Sequence, residues 1–123
     1  MGKDLQASSD LKLRTKRFAL SILALMKDIK WSLETDVLKK QLIRSATSVG
    51  ANYRAVCRAK SRADFIAKLK ICIEEADETQ YWLELFFELH GIEEKRFTEL
   101  YKEADELIAI FVSSAKTASQ LKK

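Results

Sequence analysis

The chain has no proline and only three glycines in 123 residues: Gly2, Gly50 and Gly91. Tight turns draw heavily on those two residue types, so folds with many connections are disfavoured and a few long helices are favoured. Cysteine is scarce too. Cys57 and Cys72 both fall inside helical patterns, and two cysteines without a secretion signal make no disulfide framework. They read as buried free thiols in a reducing cytoplasm. No apolar run approaches the roughly 20 residues of a membrane span. The longest, Phe18 to Met26, is interrupted by Ser21. Basic residues precede it as in a signal peptide, but Lys27 and Asp28 stand where a small-residue cleavage site belongs.

Chemistry-bearing patterns are equally thin. His90 is the one histidine, placed where an imidazolium suits the end of a helix. Cys57 and Cys72 lack zinc-site spacing, and there is no glycine-rich phosphate loop. No Ser-His-acid set can be assembled. The paired Glu-x-x-His motifs of di-iron bundles are missing, and Glu84 with Glu88 is only a weak carboxylate pair. The chain is expected to be no enzyme and to need no cofactor or metal.

What is present is a globular composition, 47% hydrophobic and 33% charged, at a length that suits one domain over 1–123. Residues 1–10 read as a loose polar leader. Phe18, Ile22, Leu25, Met26 and Ile29 then repeat at helical spacing in a first helix over 11–30. Residues 31–34 read as a connection, and Thr35 as the N-cap of a second helix over 36–59. Leu42, Ala46, Val49, Tyr53 and Val56 form its apolar stripe. Gly50 inside it costs about 1 kcal/mol of helix propensity against alanine. Ser45, Ser48, Ala51 and Ala55 are small, which suits close packing either within the chain or between subunits.

Ser61 caps a third helix over 62–90, with Asp64 three residues on. Its apolar face, widened by Ile66, Trp82, Phe87 and Leu89, suggests cover from another subunit. Gly91 reads as the C′ residue that ends it. Glu93 and Glu94 open a fourth helix to about Ser119. Four amphipathic helices with short connections predict an all-α, antiparallel up-down four-helix bundle.

Charge is separated along the chain. Residues 36–70 carry nine basic and two acidic side chains, whereas 74–106 carry three basic and twelve acidic. At 100° per residue, Lys40, Arg44, Arg54 and Arg58 fall within about 80° of one another. Lys60 and Arg62 continue that stripe, and Lys12, Arg14, Lys16 and Arg17 extend it. Arginine forks suit phosphate, which makes the stripe a candidate for RNA or DNA. Two plainer readings stand beside that one. The face is solvated or paired with acids such as Glu74, Glu75, Asp77, Glu78 and Glu84, or it complements another subunit.

The block Gln41-Leu42-Ile43-Arg44-Ser45-Ala46-Thr47-Ser48-Val49-Gly50-Ala51-Asn52-Tyr53-Arg54, followed by Ser61-Arg62-Ala63-Asp64-Phe65, resembles the bacterial four helix bundle proteins. These are also called 23S rRNA intervening-sequence proteins. The resemblance implies an antiparallel bundle assembling into rings of five, with some members encoded in insertions of large-subunit rRNA genes. That family is similar to the accessory variability proteins of diversity-generating retroelements, basic pentamers that bind nucleic acid and a reverse transcriptase. No catalytic residues carry over. Two departures stand out. Ala55 and Val56 follow Arg54 where many members have an acid and a small residue. The first helix also ends, around Ile29 to Ser32, without the proline common in the family. The resulting expectation is a homo-oligomer that binds nucleic acid through Lys40, Arg44, Arg54, Arg58, Lys60 and Arg62. The rival is a protein scaffold whose acidic third and fourth helices dock a basic partner.

Overall fold

A computed structural model describes residues 2–89 and 91–121. It contains four helices, α1 (Gly2–Lys27), α2 (Leu33–Val56), α3 (Arg62–Glu88) and α4 (Glu94–Gln120), and no strand among those residues. Each helix packs on the next in sequence, and α1 touches α4 least. Paired residues show that neighbours are antiparallel. Ser45 and Val49 of α2 meet Thr79 and Cys72 of α3 respectively. Gln80 and Glu84 of α3 meet Asp105 and Tyr101 of α4. Arg96 at the start of α4 reaches Asp28 just past the end of α1.

The helical periodicity maps onto burial. Ile22 and Leu25 of α1, Leu42 and Val49 of α2, Leu69, Leu83 and Phe86 of α3, and Leu107 and Phe111 of α4 are essentially sealed from solvent. Each such side chain contributes about 1.5–3 kcal/mol on burial. Tyr53 crosses the core to stack on Phe111, ring centroids 5.8 Å apart.

Helix boundaries correct the sequence reading in three places. Residues 2–10 continue α1 instead of forming a loose leader. Nothing in that stretch breaks a helix, and Gln6 donates to Asp10 one turn on at 3.0 Å. The N-cap of α2 is Ser32, not Thr35. The Ser32 hydroxyl accepts from the Thr35 amide at 3.1 Å, and the Thr35 hydroxyl accepts from the Ser32 amide at 2.8 Å. This reciprocal cap satisfies two orphan donors. It ends the first connection without a proline. Thirdly, Gly91 lies one position beyond C′. Its amide bonds the carbonyl of Phe86 at 2.8 Å, the six-to-one bond of a Schellman ending with Leu89 at the cap. His90, the expected helix-end cation, lies outside the described residues. Ser61 caps α3 as expected, accepting from the Asp64 amide at 3.0 Å.

The wide apolar face of α3 is mostly covered within the chain. Phe87 stacks on Phe97 of α4 at 4.4 Å, and Ile73 and Trp82 pack against the core. Ile71, Tyr81 and Leu89 stay exposed.

Candidate functional site

The basic stripe of α2 divides once the helices are packed. Arg44 sits at the edge nearest α3, and its guanidinium is engaged by Glu75 at 3.2 Å and by Glu78. Both pairs hold the guanidinium in its charged form, with the Glu78 hydrogen bond the larger influence. Burial against α2 pushes the Glu75 carboxyl up, and Arg44 offsets part of that rise. Arg44, expected among the phosphate contacts, is thus committed to α3. Lys40 pairs with Asp36 one turn earlier at 3.3 Å. Arg62 donates to the carbonyl of Leu121, tying the start of α3 to the end of α4.

Arg54 faces the other way, whereas Arg58 shares a depression with Lys68 of α3. Arg54 lies at the edge of α2 nearest α1, where the two helices leave an open groove of about 580 Å³. The groove is lined by Lys12, Lys16 and Leu13 of α1 and by Thr47, Ala51 and Arg54 of α2. It exists because its floor is small. A Cβ at Gly50 would come within 3.2 Å of the Thr15 hydroxyl oxygen, so any larger residue would make Thr15 or α1 give way by a few tenths of an ångström. Arg54 and Ala51 also line a second depression of about 480 Å³, with Ala55, Arg58 and Lys68. The two form one track. With the Thr15–Gly50 contact as the register, Lys16, Lys12, Arg54 and Arg58 succeed one another over roughly 13 Å at 1.5 Å rise per residue.

Among the described residues no aspartate or glutamate lines either depression. No salt bridge among the described residues engages Lys12, Lys16, Arg54 or Arg58. Lys60 is exposed and lines neither depression. Arg14, by contrast, belongs to the α1–α4 seam. It binds Glu103 through two 2.7 Å hydrogen bonds and Glu106 at 2.8 Å, and its charged form is strengthened chiefly by Glu103. Arg17 lines a depression on that same side, with Arg14 and Glu103.

Lys68 joins the track although the sequence reading passed over it, and it is paired with Asp64 one turn earlier. Lys12 and Lys16 rise from an extension of the stripe to its centre. The i, i+4 spacing of Lys12–Lys16 and Arg54–Arg58 was visible in sequence, but the α1–α2 register that aligns them was not.

The cysteines carry no site. Both are free, Cys72 sealed and Cys57 half-buried. Burial pushes the Cys72 thiol up to about 12, so it stays protonated. Burial likewise pushes Tyr53 up to about 12, with Cys57 contributing. Among the described residues no three His, Cys, Asp or Glu side chains converge as metal ligands would, and no helix is long and apolar enough to cross a membrane.

Comparison with known proteins adds a family. The sequence model described as "23S rRNA-intervening sequence protein" matches residues 9–113. A crystal structure of a protein with unknown function, from the S23 ribosomal protein family of Bacteroides thetaiotaomicron, is similar in sequence and fold. It is 37% identical, with a TM-score of 0.80, over 89% of this chain and 97% of that one. No curated protein matches the chain.

Proposed function

The chain belongs to the 23S rRNA-intervening sequence protein family, and on that premise we propose that it is a cytoplasmic, non-enzymatic nucleic-acid-binding protein that works as a homo-oligomer. The observation that carries this reading is the track that runs from the α1–α2 groove over the end of α2 toward Lys68 of α3. Four cations, Lys12, Lys16, Arg54 and Arg58, line connected depressions that contain no described carboxylate. Electrostatic attraction to phosphate needs clustered, uncompensated cations, and each phosphate neutralised releases counterions. The acids of α3 and α4 support it indirectly, since they occupy Arg44 and Arg14, and of the track's cations they engage only Lys68, through Asp64.

Assembly is supported by apolar surface left open on the same face. Leu20 of α1 stands open over a third depression beside the track, whose walls are the partly buried Leu23 and Ile43 and the buried Met26. Leu20 remains about half exposed. A ring of five such 14.1 kDa chains would weigh about 70 kDa. Light scattering after gel filtration tests this, and a monomer at micromolar concentration would remove assembly from the proposal.

Fluorescence anisotropy of labelled RNA and DNA against rising salt tests the binding. Changing Lys16, Arg54 and Arg58 together to alanine is expected to weaken affinity more than tenfold at low salt and to flatten the salt dependence. Unchanged affinity in that variant would remove the track from the proposal. A scaffold reading is favoured by one separate feature, the outer face of α3. There Glu74, Asp77 and Glu88 are exposed beside Tyr81, a surface suited to a basic partner such as a nucleic-acid enzyme. Pull-down with and without nuclease separates the two, because a directly docked protein survives digestion of nucleic acid.

A further inference from the structure

We infer that the track takes the phosphate backbone of a double-stranded nucleic acid and reads neither its bases nor its sequence. This rests on the nucleic-acid reading above and specifies the substrate class of the same surface.

The argument begins with what the track lacks. Proteins that hold single strands combine a basic groove with aromatic side chains on which successive bases stack. No Phe, Tyr or Trp lines either depression. Tyr53 and Phe18, on the same two helices, are turned into the core, and the most exposed aromatic, Trp31, is on the connection at the opposite end of α2. A bound single strand would find charge here but no surface for its bases. A duplex stacks its own bases and presents only phosphates.

The means of base readout are reduced as well. Side chains that discriminate bases are chiefly bidentate Arg, Asn and Gln, with Asp and Glu as acceptors. Among the described residues the depressions hold no Asn, Gln, Asp or Glu. What remains is three lysines and two arginines among Ser9, Thr15, Thr47, alanines, Gly50 and Leu13. Arginine and lysine can grip guanine edges, but clustered without adenine- or cytosine-reading side chains they serve chiefly to position a backbone.

Rigidity points the same way. Lys12, Lys16 and Arg54 stand on long packed helices, with Arg58 in the turn that follows α2. Their spacing is therefore largely fixed before binding. A stiff phosphate row can meet fixed cations without ordering itself first, whereas a flexible strand loses conformational freedom to do so. At 3.4 Å of axis per phosphate on one strand, a track of roughly 13 Å faces about four phosphates.

The test uses the full chain, a labelled duplex of about 20 base pairs made as RNA and as DNA, and the separated strands of each. Anisotropy is followed from low to physiological salt. Duplex is expected to bind at least about tenfold tighter than either strand, with two unrelated sequences agreeing within about threefold. The log–log salt slope is expected to reach at least about 3.6 in magnitude, and to fall by about 1.8 in Lys12→Ala/Arg54→Ala. Both positions are exposed, and circular dichroism checks that the variant keeps its helix content. A preference confined to RNA duplex or to DNA duplex supports the inference and identifies the source of the phosphates. Single strands bound as tightly as duplex, or a sequence preference beyond about tenfold, would overturn it while leaving nucleic-acid binding intact. No binding of any form at low salt would instead remove the reading on which it rests.

Discussion

At the scale of single residues, Gly50 shows how a local cost becomes a tertiary gain. Glycine inside a helix forfeits about 1 kcal/mol against alanine, yet here a Cβ would press on Thr15, which is sealed from solvent and hydrogen-bonded to the Leu11 carbonyl at 2.8 Å. Gly50→Ala is expected to lower stability by about 1 kcal/mol, because the overpacking outweighs the propensity gained. In a Thr15→Ala background the same change should stabilise by a similar amount. Urea titration of the four proteins of that cycle measures the coupling. Cys72 supplies a pH dependence. Its thiol, raised to about 12 by burial, binds its proton more tightly folded than unfolded. Its contribution is complete below the unfolded value near 9 and is lost as pH climbs from there toward about 12. Tyr53 adds a parallel loss above about 10. Chemical denaturation between pH 8 and 11 should show stability falling, with a shallower fall in Cys72→Ala/Tyr53→Phe. A thiol reagent at pH 8 should label Cys57 in the native protein and Cys72 only after unfolding.

At the scale of elements, the helix ends show which local signals suffice. Ser61 and Asp64 start α3 as the sequence indicates, because a cap is a contact between residues three apart. The start of α2 is just as local, but Ser32 and Thr35 both qualify as caps. The Thr35 hydroxyl settles the matter by also donating to the Lys30 carbonyl at 3.0 Å, which closes the turn after α1. Ser32→Ala should cost about 1 kcal/mol and lower Tm by about 4 °C, measured by thermal melting. Thr35→Ser, which keeps the hydroxyl, should cost less. Gly91 is held by approach to Phe86, whose ring and carbonyl would each lie 3.2 Å from an added Cβ. Gly91→Ala should therefore destabilise the α3–α4 turn although Gly91 sits outside either helix.

At the scale of the molecule, packing sorts the charges into two kinds. Arg14 and Arg44 answer the acids of α4 and α3 across helix seams. Lys12, Lys16 and Arg54 stay together between α1 and α2, and Arg58 adjoins them in the depression that α2 shares with Lys68 of α3. Partly exposed pairs of this sort contribute at most about 1 kcal/mol each. Arg44→Ala should therefore lower stability by less than about 1 kcal/mol and leave nucleic-acid affinity within about twofold of the parent. Arg54→Ala/Arg58→Ala should do the reverse. Measuring melting temperature and anisotropy on both variants separates the two classes of arginine.

The number of helices, their antiparallel order, the buried stripes and the family were all legible in the amino-acid order. Each depends on periodicity or on neighbours a few residues apart. A helical wheel also placed Lys40, Arg44, Arg54 and Arg58 on one stripe, correctly as an angular statement. It could not say that Arg44 borders α3 and Arg54 borders α1, or that Lys12 comes level with Arg54 while Lys16 stands beside Gly50. Those facts belong to the register between helices. That register is set by side chains far apart in sequence, the Gly50–Thr15 contact above all, so only the packed structure decides which cations remain together.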